Sequence, residues 1–112
     1  MSGITTHVLD TSLGRPAAGV ATRLDKRSTA EAWVEVGRGV TDDEGRIRDL
    51  LEAPLEAGVY RLTFDSGAYF RARNAPGFYP QVAIEFEVRD PGQHHHVPLL
   101  LSPFGYSTYR GS

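Results

Sequence analysis

The 112-residue sequence contains no cysteine, which excludes disulfide bonds and thiolate metal sites. No apolar run approaches the roughly 20 residues that cross a bilayer, since the leucine run at residues 99–101 is among the longest. The first residues also lack the basic and apolar segments of a secretory signal. A net charge of −2 gives no cationic excess of the kind that nucleic-acid-binding proteins carry. We therefore expect a soluble, cytoplasmic protein without membrane or nucleic-acid partners.

The length favours a single domain over residues 1–112. A chain of this size buries roughly two-thirds of its unfolded surface, which is enough for one core but leaves little room for a deep private cavity. A substantial active site would therefore fit best at an interface between subunits.

Short alternating segments dominate the sequence and predict strands. Apolar residues occupy every second position in residues 60–64 and 82–88, and glycine-rich or acidic turns separate the segments. This pattern predicts an all-β fold, a two-sheet antiparallel sandwich of seven or eight strands. One short helix is predicted over residues 66–74, with Ser66 as its N-cap. Trp33, Phe64 and Phe86 are predicted to fill the core.

Four histidines lie near the two ends of the chain, at His7, His94, His95 and His96. Because side chains alternate along a strand, His94 and His96 should share one face and His95 the other. Histidine transfers protons near neutral pH, and it also binds metals. The run could therefore supply either a catalytic histidine or two metal ligands, although no H-x-x-x-H or H-E-x-x-H spacing supports the metal.

The final nineteen residues carry the most specific pattern in the chain. They contain His94, then H-V-P-L-L-L-S-P at residues 96–103, and then Y-S-T-Y-R-G-S at residues 106–112. The opening T-H-V-L-D at residues 6–10 and G-R-P-A at residues 14–17 accompany them. Together these segments resemble the 5-hydroxyisourate hydrolases, the purine-catabolic branch of the transthyretin-like family. The sequence departs from that pattern at His95, where the family usually has tyrosine.

The resemblance implies roles for particular residues. It places the two catalytic histidines at His7 and His96, without saying which is the base and which is the acid. The substrate-binding arginine maps to Arg46, which follows the turn T-D-D-E-G at residues 41–45. His95 should point away from the site. The resemblance covers nearly the whole chain and is weakest in its middle third.

The C-terminal tetrapeptide is implied to line the site. Tyr109, Arg110 and Gly111 would bind substrate, and Ser112 would act in catalysis through its hydroxyl or through the α-carboxylate. Without the tetrapeptide match, a terminal serine would be expected to be unconstrained.

The implied reaction is hydrolysis of 5-hydroxyisourate to 2-oxo-4-hydroxy-4-carboxy-5-ureidoimidazoline during urate degradation, with neither cofactor nor metal. An imidazole must accept a proton from water, and fixed donors must stabilise the oxyanion that forms. The family forms homotetramers, dimers of dimers, with active sites at the dimer–dimer interface. Two alternatives remain: a transthyretin-type carrier, in which the histidine pair and the Y-R-G-S end should be replaced, and a histidine-based metal-binding module.

Overall fold

The computed structural model describes residues 3–112, which form two stacked β-sheets and one helix. Nine strands are present in this part of the chain; seven have four or more residues, and two are two-residue strands. The predicted all-β sandwich with one short helix is confirmed. The elements in chain order are β1 Ile4–Asp10, β2 Arg15–Pro16, β3 Ala21–Arg27, β4 Trp33–Val40, β5 Arg46–Ile47, β6 Gly58–Phe64, α1 Ser66–Ala72, β7 Val82–Val88, β8 His95–Ser102 and β9 Gly105–Thr108.

The first sheet joins the two ends of the chain. Its order is β2-β1-β8-β9, with β5 also paired to β1, and the second sheet has the order β4-β3-β6-β7. The pairing of β1 with β8 is parallel, which departs from the predicted antiparallel arrangement at this position. Parallel neighbours require a long crossover, and here the chain forms the entire second sheet before it returns. Thr5 consequently pairs with His96 across these two strands.

The core lies between the sheets and follows the predicted alternation. Tyr60, Leu62 and Phe64 on β6 are all buried, whereas the intervening residues of that strand are half-buried. Phe86 packs against the edge of the core. Trp33, by contrast, does not belong to the core. It begins the edge strand β4, half-buried, and the guanidinium of Arg61 lies 4.2 Å from the centre of its ring.

Helix α1 is capped differently from the prediction. The N-cap is Asp65, whose side chain accepts a hydrogen bond from the backbone N–H of Ala68 at 3.1 Å. The hydroxyl of Ser66 instead donates to the carbonyl of Tyr79 at 2.9 Å, which ties the helix to the following loop. The seven-residue helix is also shorter than predicted, because the chain turns at Asn74, where φ is 54°. No helix within residues 3–112 is long and apolar enough to span a membrane.

Candidate active site

Three strands of the first sheet bring distant residues together on its outer face. In register, His7 of β1 lies opposite Arg46 of β5, and Thr5 of β1 lies opposite His96 of β8. Side chains two residues apart on a strand share a face, so Thr5 and His7 point the same way. Their neighbours on β1, such as Val8, point inward and are buried in the core. The catalytic residues implied by the sequence resemblance therefore lie on one face, outside the hydrophobic core.

An open cleft of about 330 Å³ lies over this face. His7 is not among its lining residues and lies beside it, next to Arg46 in the strand register. Two residues that the sequence analysis did not single out, Thr5 and Arg48, take part in the lining. The residues that line the cleft are Thr5, Thr6, Arg46, Arg48, His94, His96 and Ser112.

The hydroxyl of Thr5 lies between two imidazoles. Its Oγ1 is 2.9 Å from Nε2 of His94 and 2.8 Å from Nδ1 of His96. Both distances are those of hydrogen bonds. The contacts confirm that His94 and His96 share a face, as strand alternation predicts. Because Nδ1 of His96 is held by Thr5, its Nε2 is the nitrogen available to a bound molecule.

The surroundings of His96 lower the pKa of its imidazole. Burial has the largest effect, because it disfavours the charged form, and the positive charge of Arg46 adds to it. His7 and His94 act in the same direction, which shows that both lie near the ring. His96 is therefore largely neutral at pH 7, the state in which an imidazole can accept a proton.

Arg46 and Arg48 place two guanidinium groups at the cleft, at the end of an acidic turn. Gly45 has a φ of 77°, and its missing Cβ allows close approach to the carbonyl oxygen of Val8 on β1. Asp42 accepts a hydrogen bond from the backbone N–H of Arg46, and its other oxygen lies 3.4 Å from the guanidinium of Arg48. The turn thus fixes the backbone at Arg46 and leaves its side chain to face the cleft.

The C-terminal segment crosses His96. The backbone N–H of Gly111 donates to the carbonyl oxygen of His96 at 2.8 Å. A Cβ at Gly111 would lie 2.6 Å from Cδ2 of the His96 ring, so only glycine permits this crossing without displacement. Ser112 then reaches the cleft. Gly111 therefore contacts the catalytic candidate itself, and the substrate contact expected for it stays a prediction.

The structure does not bring the other two residues of the tetrapeptide into this cleft. Tyr109 is exposed and lines a separate cavity of about 290 Å³ that also includes His95. Arg110 donates to the side-chain oxygen of Gln93 at 3.2 Å and to the backbone carbonyl of His94 at 3.3 Å. These two contacts hold the residues that precede β8. Substrate binding by Tyr109 and Arg110 stays a prediction.

His95 lies on the opposite face from its two neighbours, as expected. It is buried, and its Nδ1 is 2.9 Å from the carbonyl oxygen of Gln93. The histidine run is thus divided between the two faces of β8. Within residues 3–112, no group of three or more His, Cys, Asp or Glu side chains is placed to hold a metal ion.

Cavity volume alone does not identify the site. A larger hollow of about 640 Å³ lies beside Leu55, and another of about 410 Å³ lies on the second sheet beside Arg38. Neither is lined by histidine. The cleft over β1 and β8 is distinguished by its imidazoles and guanidinium groups, which together can bind an anionic planar molecule and transfer a proton.

The sequence profile of the HIUase/Transthyretin family matches residues 4–111. The chain belongs to this family. It is 47% identical over 117 residues to the 5-hydroxyisourate hydrolase of Caulobacter vibrioides, with all of both chains covered. Among solved structures, the 5-hydroxyisourate hydrolase of Klebsiella pneumoniae superposes with a TM-score of 0.86 and 38% identity, covering 97% of this chain and 98% of that one.

The fold alone does not separate the two branches of the HIUase/Transthyretin family. Sea bream transthyretin in complex with thyroxine superposes with a TM-score of 0.93, at 32% identity, covering 98% of this chain and 95% of that one. The backbone is therefore at least as similar to a transthyretin that binds thyroxine as to a 5-hydroxyisourate hydrolase. The side chains over β1 and β8 must decide the function.

Proposed function

We propose that this protein hydrolyses 5-hydroxyisourate to 2-oxo-4-hydroxy-4-carboxy-5-ureidoimidazoline in urate degradation. The observation that carries the proposal is the convergence of His96, His7 and Arg46 on one face of the first sheet. The identity of 47% to a named hydrolase over the full chain supports it. Neither a cofactor nor a metal has a step in the proposed mechanism.

Arg46 would bind and orient the substrate. A guanidinium can form two parallel hydrogen bonds to adjacent carbonyl or imide acceptors of a planar ring. Arg48 adds a second positive charge at the same cleft. The negative charge that develops on the attacked carbonyl oxygen would be stabilised by these two guanidinium groups.

His96 is the better candidate for the base. It lines the cleft, its pKa is lowered mainly by burial, and Thr5 holds its Nδ1 so that Nε2 can accept a proton from water. His7 lies beside Arg46 and would protonate the ring nitrogen that departs when the C–N bond breaks. Ser112, at the cleft, would hold the water through its hydroxyl or the carboxylate.

The proposal includes a homotetramer with active sites at the dimer–dimer interface. The cleft on a single chain is open on the outer face of the first sheet, and a second subunit could close it and exclude water. A cytoplasmic location belongs to the proposal as well. Both stay predictions.

A carrier function is the second candidate, because the transthyretin backbone matches so well. A carrier for an apolar hormone needs an apolar channel, whereas this cleft contains two histidines and two arginines. Titration with thyroxine in a calorimeter should give no binding at micromolar concentrations. Tight thyroxine binding together with no hydrolysis would favour the carrier instead.

The site assignment is tested with His7→Ala, Arg46→Ala and His96→Ala. Each should lose most of kcat/KM: removal of an acid–base group such as His7 or His96 typically costs about 10²–10⁴-fold, and removal of Arg46 takes away a donor to the substrate and to the developing oxyanion, which typically costs about 10²–10³-fold. Arg89→Ala is the matched control for Arg46→Ala, because Arg89 is exposed, pairs with Glu87 and is not among the residues that line the cleft. Normal turnover by all three variants, with native circular dichroism, would show that the site is wrongly assigned.

A further inference from the structure

We propose that Thr5 and His94 form a proton relay, through which the proton that His96 removes from water passes to solvent. The inference rests on the proposed function and adds two residues to it. The geometry that carries it is the single hydroxyl oxygen of Thr5 within 2.9 Å of Nε2 of His94 and within 2.8 Å of Nδ1 of His96.

A hydroxyl has one hydrogen and two lone pairs, which makes the states of the two imidazoles interdependent. If Nδ1 of His96 donates to Thr5, the hydroxyl hydrogen is free to donate to Nε2 of His94. In that arrangement Nε2 of His96 carries a lone pair toward the cleft, as a base requires. His94 then carries its own proton on Nδ1. Thr5 therefore couples the two tautomers, and when Nε2 of His94 accepts, His96 is in the tautomer that a base requires.

The chain of hydrogen bonds runs from the half-buried His96 to the exposed His94, as a route for a proton to solvent requires. Thr5 is 8% exposed, His96 is half-buried, and His94 is exposed. A proton left on His96 would remain beside Arg46, whose charge disfavours it. A proton on His94 can leave to water directly. His7 is a further titratable group near the ring of His96, and Arg48 is a second charged residue that lines the cleft.

The steps balance in protons and charge. Water loses a proton to Nε2 of His96 as its oxygen bonds to the substrate carbonyl carbon. The imidazolium then passes its Nδ1 proton to the Thr5 oxygen, while the hydroxyl hydrogen moves to Nε2 of His94. His94 releases its Nδ1 proton to solvent, Thr5 is again a neutral hydroxyl, and both imidazoles are left with a proton on Nε2. After the product leaves, water in the open cleft takes the Nε2 proton of His96 while solvent protonates Nδ1 of His94. The Nε2 proton of His94 then returns through Thr5 to Nδ1 of His96, which restores the starting tautomers without a further net proton. Hydrolysis that yields a carboxylic acid releases one net proton per turnover near neutral pH, and this route would carry it.

The kinetic test uses variants that separate hydrogen bonding from proton transfer. Thr5→Val removes the hydroxyl at nearly constant shape and should lower kcat at least about tenfold with little change in KM, whereas Thr5→Ser should retain most activity. Thr11→Val is the control, since the Thr11 hydroxyl also bonds β8, at the carbonyl of Leu101, but away from the cleft. Wild-type kcat in Thr5→Val would overturn the relay.

His94→Gln distinguishes a relay from simple orientation. Glutamine can still hydrogen-bond to Thr5 but cannot take up a proton, so kcat should fall, and free imidazole in the buffer should restore part of it. If His94→Gln turns over like the wild type, or if imidazole restores nothing, His94 does not carry the proton.

Nitrogen NMR on the substrate-free wild-type protein tests the hydrogen bonds that Thr5 forms with His94 and His96, and it does not depend on an activity measurement. We expect Nδ1 of His96 to be protonated and Nε2 of His94 to be unprotonated at neutral pH, and Thr5→Val to abolish that pattern. Protonation of both nitrogens, or of neither, would overturn the relay. A wild-type protein that does not hydrolyse 5-hydroxyisourate would instead overturn the proposed function, so the two failures are distinguishable.

Discussion

Gly111→Ala should damage catalysis through a single methyl group. The alanine Cβ would lie 2.6 Å from Cδ2 of His96 and 3.3 Å from Cγ of Pro98, whereas ordinary contacts begin at 3.4 Å. Pro98 lies on a strand and the ring of His96 is bonded to Thr5, so neither can move freely. Either the ring or the tail must therefore shift by about 0.8 Å, which is the difference between the ordinary contact distance of 3.4 Å and the 2.6 Å from the new Cβ to Cδ2.

A shift of that size is large for a catalytic base. Misplacement of a reacting group by about 1 Å can cost about 10²-fold in rate, which corresponds to about 2.7 kcal/mol of transition-state stabilisation. We expect kcat/KM of Gly111→Ala to fall between about tenfold and a hundredfold. The melting temperature should barely change, because the tail contributes no residue to the buried core.

The assay is the disappearance of freshly prepared 5-hydroxyisourate, followed by its ultraviolet absorbance. Gly105→Ala is the matched control in the same C-terminal region, since the nearest neighbour of its Cβ, the Ser102 hydroxyl, would lie at 3.8 Å. Wild-type kcat/KM in Gly111→Ala would refute the reasoning. An equal loss in Gly105→Ala would show that the effect is not specific to His96.

Four further outcomes are expected. In a pH profile, kcat/KM should fall on the acid side as His96 is protonated, with a midpoint below the ordinary histidine value near 6.5 because burial lowers its pKa; a flat profile would contradict an imidazole base. The kcat of His95→Tyr should stay within about threefold of the wild-type kcat, since His95 points away from the cleft; a larger loss in the same assay would show that His95 contributes to catalysis. Tyr69→Phe should lower the free energy of unfolding by about 1–3 kcal/mol in a urea titration but spare activity, because it removes a 2.7 Å hydrogen bond to buried Asp10. Deletion of residues 109–112 should abolish hydrolysis while circular dichroism stays native, and full activity in the shortened chain would show that these four residues are not needed for catalysis.

Alternation along strands was the sequence signal that predicted most. It placed Tyr60, Leu62 and Phe64 on one face, which the structure buries, and it separated His94 and His96 from His95, because the two faces of a strand meet different surroundings. Local sequence could not reveal the parallel pairing of β1 with β8, which depends on how the two sheets enclose the core.

Competition between neighbouring polar residues explains the wrong helix cap. Asp65 and Ser66 both suit an N-cap, and the choice was decided by the carbonyl of Tyr79, a partner that tertiary structure supplies to Ser66. Trp33 was assigned to the core because of its size, but it begins an edge strand where Arg61 covers its ring.

The candidate site was predictable from sequence only through the family resemblance. Thr5 was missed, although it lies two residues before His7 and so shares the face of that histidine. Nothing in the local sequence indicates that its hydroxyl would meet both His94 and His96, since that contact requires the register between β1 and β8.

The most direct measurement is the ultraviolet spectrum of freshly prepared 5-hydroxyisourate, followed with and without the purified protein. The account predicts that catalytic amounts of protein remove the substrate spectrum many times faster than it decays spontaneously, and that Arg46→Ala abolishes the acceleration. Identical decay with and without the wild-type protein would contradict the account.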